Sequence, residues 1–383
     1  MSGIATRSIA SSTRWATGDP DRDGDDLRAL SPIQAELVAA RWSRLHDPSE
    51  GYAQILRGSC PTLEELQSRL ASFLWSQWAQ MGALANTERS DRWAADPEAL
   101  LLLTFEVGRE EPRFFEEVLD WLIKNERLIS VQRLRNLVRG DADRALVEAI
   151  LGWLGERRRR LRLEARNGSN GAAIDAQPFF RNSSLPVTDP DPAFLAQGFL
   201  KPGSEPSAKS QAPDLLLPIN FAFRLRQLLG IGARAETARV LLTTGAPRVN
   251  VQVIARSTAY TKRNVQEAVT SLTAASVLFS FELGNEQVFS IPWDRWTQFL
   301  ELDQLPTQED WPQLFAVYRR VLRWLGDPAR EGLSDYMLSS GVRTLAEEIA
   351  PDLSFAGIRN GPAGNESSYF QSFSQELLDS VPT

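Results

Sequence analysis

The chain has 383 residues, 43% of them hydrophobic and 24% charged, with a formal net charge of -7 and a pI near 5.1. Such a length supports two or three cores, and the acidic balance excludes a polyanion binder that works through overall charge, so any nucleic-acid contact needs a local basic surface. A single cysteine, Cys60, and a single histidine, His46, exclude an intrachain disulfide and a Cys/His zinc site.

Residues 1–30 read as a disordered tail: Met1 to Thr17 lacks the apolar stretch of a secretory signal, no run of 18 apolar residues marks a membrane span, and the expected location is cytoplasmic. Asp19, Asp21, Asp23, Gly24 and Asp25 match the start of an EF-hand loop, but Leu30 stands where a bidentate Glu is needed, so the stretch reads as a solvated acidic tip and no metal is expected. Residues 31–165 read as a helical interaction domain. Ser31-Pro32 opens a helix to about Leu45, with His46 just beyond its end. Leu63, Leu66, Leu70, Phe73, Leu74, Trp78 and Met81 form one stripe of a longer helix. Asp96-Pro97 and Pro112 start two more, Arg127-Leu128-Ile129 predicts a brief strand, and Val131 to Arg139 resumes helix. This order fits a degenerate winged helix, but Glu116, Glu117 and Asp120 on its second helix would repel phosphates. Arg157 to Arg160 and Arg162 complement the carbonyl end of a last helix. Residues 166–214, rich in Gly, Ser, Asn and Pro, read as a linker, with Phe179-Phe180 and the stretch from Phe194 to Leu200 apolar enough to dock.

Residues 215–292 carry the most specific pattern. Phe221 to Leu229 leads in, and its Arg224 and Arg226 are expected at the edge of the module. A helix over Ala233 to Thr243 ends at Gly245-Ala246-Pro247. Asn250 caps a second over Val251 to Arg256, and Ser257 to Tyr260 makes the turn. Thr261 then caps a third, whose apolar side is Val265, Ala268, Val269 and Leu272. The period then drops to about 2: Phe279, Phe281 and Leu283 alternate with Ser280 and Glu282, and Gly284-Asn285 turns the chain into a second strand that Pro292 stops. This is the order of a winged helix-turn-helix. From Arg224 to Glu286 eight basic residues stand against four acidic ones, a surplus of +4 that leaves the remainder of the chain at -11.

The stretch from Val251 to Thr258 and the start of the next helix, Tyr260 to Val265, resemble the corresponding helices of bacterial MarR-like and ArsR-like regulators, over roughly 60 residues. Such families often have Gly where this chain has Ala275-Ser276. The resemblance implies duplex DNA as partner, transcriptional repression as output, and a third helix that enters the major groove. Arg263 would read guanine, Gln266 adenine and Glu267 cytosine, with Asn264 and Thr270 on the same helix. Tyr260, Thr261 and Lys262 would hold phosphates, and Asn285 would touch the adjacent minor groove. The arrangement also resembles that of bacterial antitoxins or defence-operon regulators paired with a nucleotidyltransferase toxin. That resemblance implies a non-catalytic adaptor with a protein partner on the N-terminal helices.

Residues 293–359 predict three helices, Trp293 to Leu302, Trp311 to Leu325 and Ser334 to Ile349, suited to dimer contacts or to folding back; Arg319, Arg320 and Arg323 are expected on exposed faces of the middle one. Residues 360–383 read as a tail with a short amphipathic turn at Tyr369 to Leu378. No phosphate loop, dinucleotide fingerprint or nucleophile elbow occurs, so neither catalysis nor a cofactor is expected. The fold expected is mainly α: a helical N-terminal domain, a winged helix-turn-helix with a small β-hairpin wing, and C-terminal helices.

Overall fold

The computed structural model describes residues 63–83, 93–157, 176–181, 186–307, 309–330, 333–359 and 369–382. The acidic stretch at 19–25, the helix expected from Ser31, His46, Cys60 and Arg158 to Arg160 with Arg162 lie outside them. The described chain is mainly helical with two small sheets, one of two strands and one of three. No described helix is long and apolar enough to cross a membrane. Two compact units divide it: one takes Leu63–Glu236 and Phe315–Ala329, the other Thr237–Leu314 and Arg330–Ser380.

In the first unit, α1 (Leu63–Gln80) buries the stripe Leu66, Leu70, Phe73, Leu74 and Trp78. Asp96 caps α2 (Pro97–Val107) by accepting from the Ala99 N–H at 3.1 Å, with Pro97 at a position where no amide is needed. α3 (Pro112–Asn125) buries Phe114, Phe115, Val118, Leu119, Trp121 and Leu122. Trp121 stands edge-on to Trp78 with ring centroids 5.0 Å apart and donates its indole N–H to the Met81 carbonyl at 2.6 Å. The strand expected at Arg127-Leu128-Ile129 is instead a 3-10 turn over Glu126–Leu128. The Ile129 N–H closes the turn on Glu126, and Ser130 already caps α4 (Val131–Leu137), which leaves no room to run extended. α5 (Arg144–Arg157) follows.

The stretch with linker composition is tied to this unit along its described part. β1 (Gln177–Pro178) pairs in parallel with β2 (Phe199–Leu200), and the one-turn helix α6 (Pro192–Leu195) lies between them in sequence. Phe179, Phe180 and Phe194 are buried, with ring centroids 4.7 to 6.2 Å from Phe115. Asp120, expected on an acidic surface, is buried and accepts from the Ala208 and Ser210 amides at 2.6 and 3.0 Å. Burial raises its pKa, but these bonds hold its carboxyl below the usual aspartate value. Lys124 donates to the Ser210 carbonyl at 2.8 Å and Asn125 to the Gln211 carbonyl at 3.0 Å. Gly82 makes the close approach possible: its φ is +99°, and a Cβ there would sit 2.7 Å from the Gln211 carbonyl oxygen.

α7 (Phe221–Leu229) belongs to this unit too, burying Phe221, Phe223 and Leu225, and this corrects the expectation for Arg226. Its guanidinium lies in a buried charge network rather than at the exposed edge that the sequence suggests. Arg226 Nη2 is 2.7 Å from Glu98 Oε2 and 2.6 Å from Glu236 Oε1, and Arg133 Nη1 is 2.8 Å from Glu98 Oε2. Arg133 also pairs with Asp96, and the Ser130 amide donates to Glu98 at 2.6 Å. Burial disfavours the Arg226 cation, but Glu98 and Glu236 outweigh it and raise its pKa.

Arg319 is a second correction. It lies on α12 (Trp311–Leu325), is buried rather than exposed, and pairs with Asp143 and, at 3.4 Å, with Asp141. Its pKa is pushed down to about 10, chiefly by burial. Arg323 sits 2.9 Å from Asp141, while Arg320 remains exposed.

The second unit holds most of α8 (Ala233–Thr243), then β3 (Val249–Asn250), α9 (Val251–Thr258), α10 (Lys262–Ala274), β4 (Phe279–Leu283), β5 (Glu286–Ser290) and α11 (Trp293–Phe299). Further on come α13 (Asp335–Glu348), α14 (Ala350–Ala356) and α15 (Tyr369–Asp379). α15, placed by the sequence in a tail, is an 11-residue helix that buries Tyr369, Phe370, Phe373, Leu377 and Leu378. The Phe370 amide donates to Ser339 on α13 at 3.2 Å, and Arg343 lies 4.9 Å from the Tyr369 ring centroid.

Candidate nucleic-acid interface

The elements from α8 to β5 follow the order helix, short strand, helix, turn, helix, hairpin. Ala238, Val240, Leu241 and Leu242 of α8 are buried, as are Val253 and Ile254 of α9 and Val265, Val269 and Leu272 of α10. Asn250 fixes the start of α9 by accepting from the Val253 N–H at 2.9 Å, and its amide donates to Glu286 at 2.9 Å, joining the helix start to β5. At the far end Thr258 bonds back to the Ile254 carbonyl at 2.7 Å, and Ala259 takes a left-handed φ of +56° to turn the chain. Thr261 then caps α10 by accepting from the Asn264 N–H at 3.2 Å.

The end of α10 has a Schellman closure. The Val277 N–H donates to the Leu272 carbonyl at 2.9 Å and the Ser276 N–H to the Thr273 carbonyl at 2.9 Å, with Ser276 at φ +58°. Serine therefore occupies a left-handed position that glycine would adopt without strain. A side chain there costs about 1–2 kcal/mol, of which glycine's greater unfolded freedom takes back about 0.5–1 kcal/mol. Ser276→Gly is thus expected to stabilise the protein by up to about 1 kcal/mol, read as a higher urea midpoint; an unchanged or lower midpoint would show that the serine is not strained.

The three-stranded sheet has the order β3-β5-β4, both pairings antiparallel, with Leu283 opposite Glu286. Gly284 supplies the positive φ, +60°, that this two-residue hairpin turn needs at its first position. Val288 and Phe289 on opposite faces of β5 are both buried, whereas every residue of β4 is exposed. Arg248 lies 5.4 Å from the Phe281 ring centroid.

Of the residues singled out in the sequence, Thr261, Lys262, Arg263, Gln266, Glu267 and Thr270 are exposed on α10 and its cap, and Asn285 is exposed at the hairpin tip. Asn264 is half-buried beside Thr261. Tyr260, expected at the phosphates, is only 5% exposed and so belongs to the turn's core. Lys262 donates to Gln252 at 3.0 Å, which brings a residue of α9 that the sequence reading passed over beside the start of α10. Its position at the first turn of α9, on the polar side, was the available signal. Arg263 pairs with Glu267 at 3.0 Å, their side chains 88% and 66% exposed, so solvent screens the pair and either can be recruited by another partner.

The surface charge is more even than the sequence count implies. Arg226 and Arg239 are buried. Arg256 sits 3.1 Å from the Phe355 ring centroid and 3.6 Å from Asp352, and burial, only partly offset by Asp310 and Asp352, lowers its pKa. Between 237 and 292 the exposed cations are Arg248, Lys262 and Arg263, and they stand against exposed Glu267, Glu282 and Glu286. No group of three or more metal-ligating side chains occurs among the described residues. No protein-family model, curated protein or solved structure matches the chain.

Proposed function

We propose that residues 237–292 are a winged helix-turn-helix that reads duplex DNA through α10, with transcriptional regulation as the output. The observation that carries this reading is the free face of α10: Lys262, Arg263, Gln266 and Thr270 project to solvent from a capped helix whose opposite face is core. Arg263, on releasing Glu267, can make a bidentate bond to guanine, and Gln266 suits adenine. Thr261 and Lys262 at the helix start would hold phosphates, with Asn285 at the neighbouring groove.

Three exposed cations bound the electrostatic part. Each phosphate contact contributes about -0.9 to the slope of log affinity against log salt, so a slope no steeper than about -3 per chain is expected. The test is fluorescence anisotropy with DNA from upstream of the protein's own coding sequence, across a salt series, for the wild type and Lys262→Ala plus Arg263→Ala. The double variant should lose about 1–3 kcal/mol for the guanine contact, and its salt slope should flatten by about 1 to 2. A folded wild type that binds no such DNA at low salt would overturn the proposal.

One observation favours a second reading, a non-catalytic adaptor or antitoxin that neutralises a protein partner such as a nucleotidyltransferase toxin. The exposed charges around α10 balance, as suits a protein-docking surface better than a phosphate backbone. Under that reading the double variant would leave any residual DNA affinity unchanged.

A further inference from the structure

Strand β4 is the outer strand of its sheet, and among the described residues no strand pairs with its free edge. An open edge presents unpaired amides and carbonyls, a liability that proteins usually blunt with lysine, proline or a bulge. The sequence of β4, Phe279-Ser280-Phe281-Glu282-Leu283, contains no lysine or proline, and its pairing with β5 runs without interruption from Phe279 to Leu283. Alternation places Phe279, Phe281 and Leu283 on the face shared with the fully buried Val288. These three side chains are nevertheless 43%, 42% and 47% exposed. The unit's apolar interior therefore reaches its open margin at this strand.

We infer that β4 is the seam of a two-fold dimer, pairing antiparallel about Phe281 with β4 of a second copy so that two three-stranded sheets become one of six strands. The strand is self-complementary in that register. Phe279 faces Leu283 of the second copy, Phe281 faces Phe281, and the two apolar interiors run together. On the other face Glu282 stands opposite Ser280. The Ser280 hydroxyl oxygen accepts from Gln287 at 2.8 Å, so its proton can be donated to the Glu282 carboxylate across the seam. Centring the pairing on Glu282 would set two carboxylates directly opposite each other, and like charges there are destabilising. The register about Phe281 avoids that clash and pairs all five residues of β4. The inference is independent of what α10 reads.

Sedimentation velocity of the full chain across a concentration series should show a species of twice the 42.7 kDa chain mass, and Phe281→Lys, which sets two cations opposite each other, should abolish it. Far-UV circular dichroism and a thermal transition check that the variant is folded. A register test holds even if it is not. In a Cys60→Ser background, Phe281→Cys places the two thiols on opposed residues about 4.5–5.5 Å apart at Cα, within disulfide reach, so mild oxidation should cross-link it. Phe279→Cys places its two thiols four residues out of register, about 13 Å apart, and should stay uncross-linked. A wild type that remains monomeric with Phe281→Cys uncross-linked would overturn the inference and leave the stripe to a different protein. A doubled mass that folded Phe281→Lys retains would overturn it as well.

Discussion

Glu98→Ala is expected to destabilise the protein by about 3–5 kcal/mol, far more than the loss of a single carboxylate at the surface. The two oxygens of Glu98 accept from the Ser130 amide at 2.6 Å, from Arg133 at 2.8 Å, and from both terminal nitrogens of Arg226 at 2.8 and 2.7 Å. All three charged side chains are buried. Removing the acid takes that acceptor from four interior N–H groups of Ser130, Arg133 and Arg226, although Asp96 and Glu236 still face the two guanidiniums. Most of the penalty comes from those stranded groups, not from the worth of the pair itself. Glu98→Gln, which keeps the shape but not the charge, should fall between alanine and the wild type. Urea unfolding followed by far-UV circular dichroism reads both, and a Glu98→Ala midpoint equal to the wild-type one would show that the network contributes nothing to stability.

Trp121→Ala should cost a similar amount, about 3–5 kcal/mol, through a different mechanism. The indole is fully buried, its centroid 5.0 Å from Trp78 and 5.9 Å from Phe223, so alanine opens a cavity that three helices cannot close. It also leaves the Met81 carbonyl without its donor. Trp121→Phe fills most of the space yet still lacks the N–H, and should cost about 1–3 kcal/mol. The gap between the two variants in the same unfolding measurement separates packing from the hydrogen bond. Equal values for both would mean that the hydrogen bond dominates.

What could be read from the sequence was local. The caps at Asp96, Asn250 and Thr261 each link a side chain to an amide three residues on, so residue type and spacing suffice to locate them. The exposed face of α10 follows from the helical period of Val265, Ala268, Val269 and Leu272 in the same way. What could not be read was set by partners distant in the chain. Arg226 meets Glu98 across 128 positions and Arg319 meets Asp143 across 176, and neither arginine differs in its local context from a solvated one. Tyr260 sits in a turn whose burial depends on how two helices cross. Arg127-Leu128-Ile129 is too short for any period to distinguish a strand from a 3-10 turn. α15 has the spacing Tyr369, Phe373, Leu377, but its place near the chain end and the polar residues before it suggested a tail.

The stretch from Ser204 to Asp214 has almost no regular structure, yet its Ala208, Ser210 and Gln211 amides should exchange with solvent deuterium as slowly as those of a helix. Asp120 holds the Ala208 and Ser210 amides, and the Gly82 carbonyl holds that of Gln211 at 2.7 Å. Each acceptor lies on or beside the helices of the first unit, so these protons are released only when that scaffold opens. Protection of Ala208 and Ser210 should moreover fade in acid as Asp120 becomes protonated, while that of Gln211, bonded to a carbonyl, persists. An irregular segment would then report, amide by amide, the ionisation of one buried side chain.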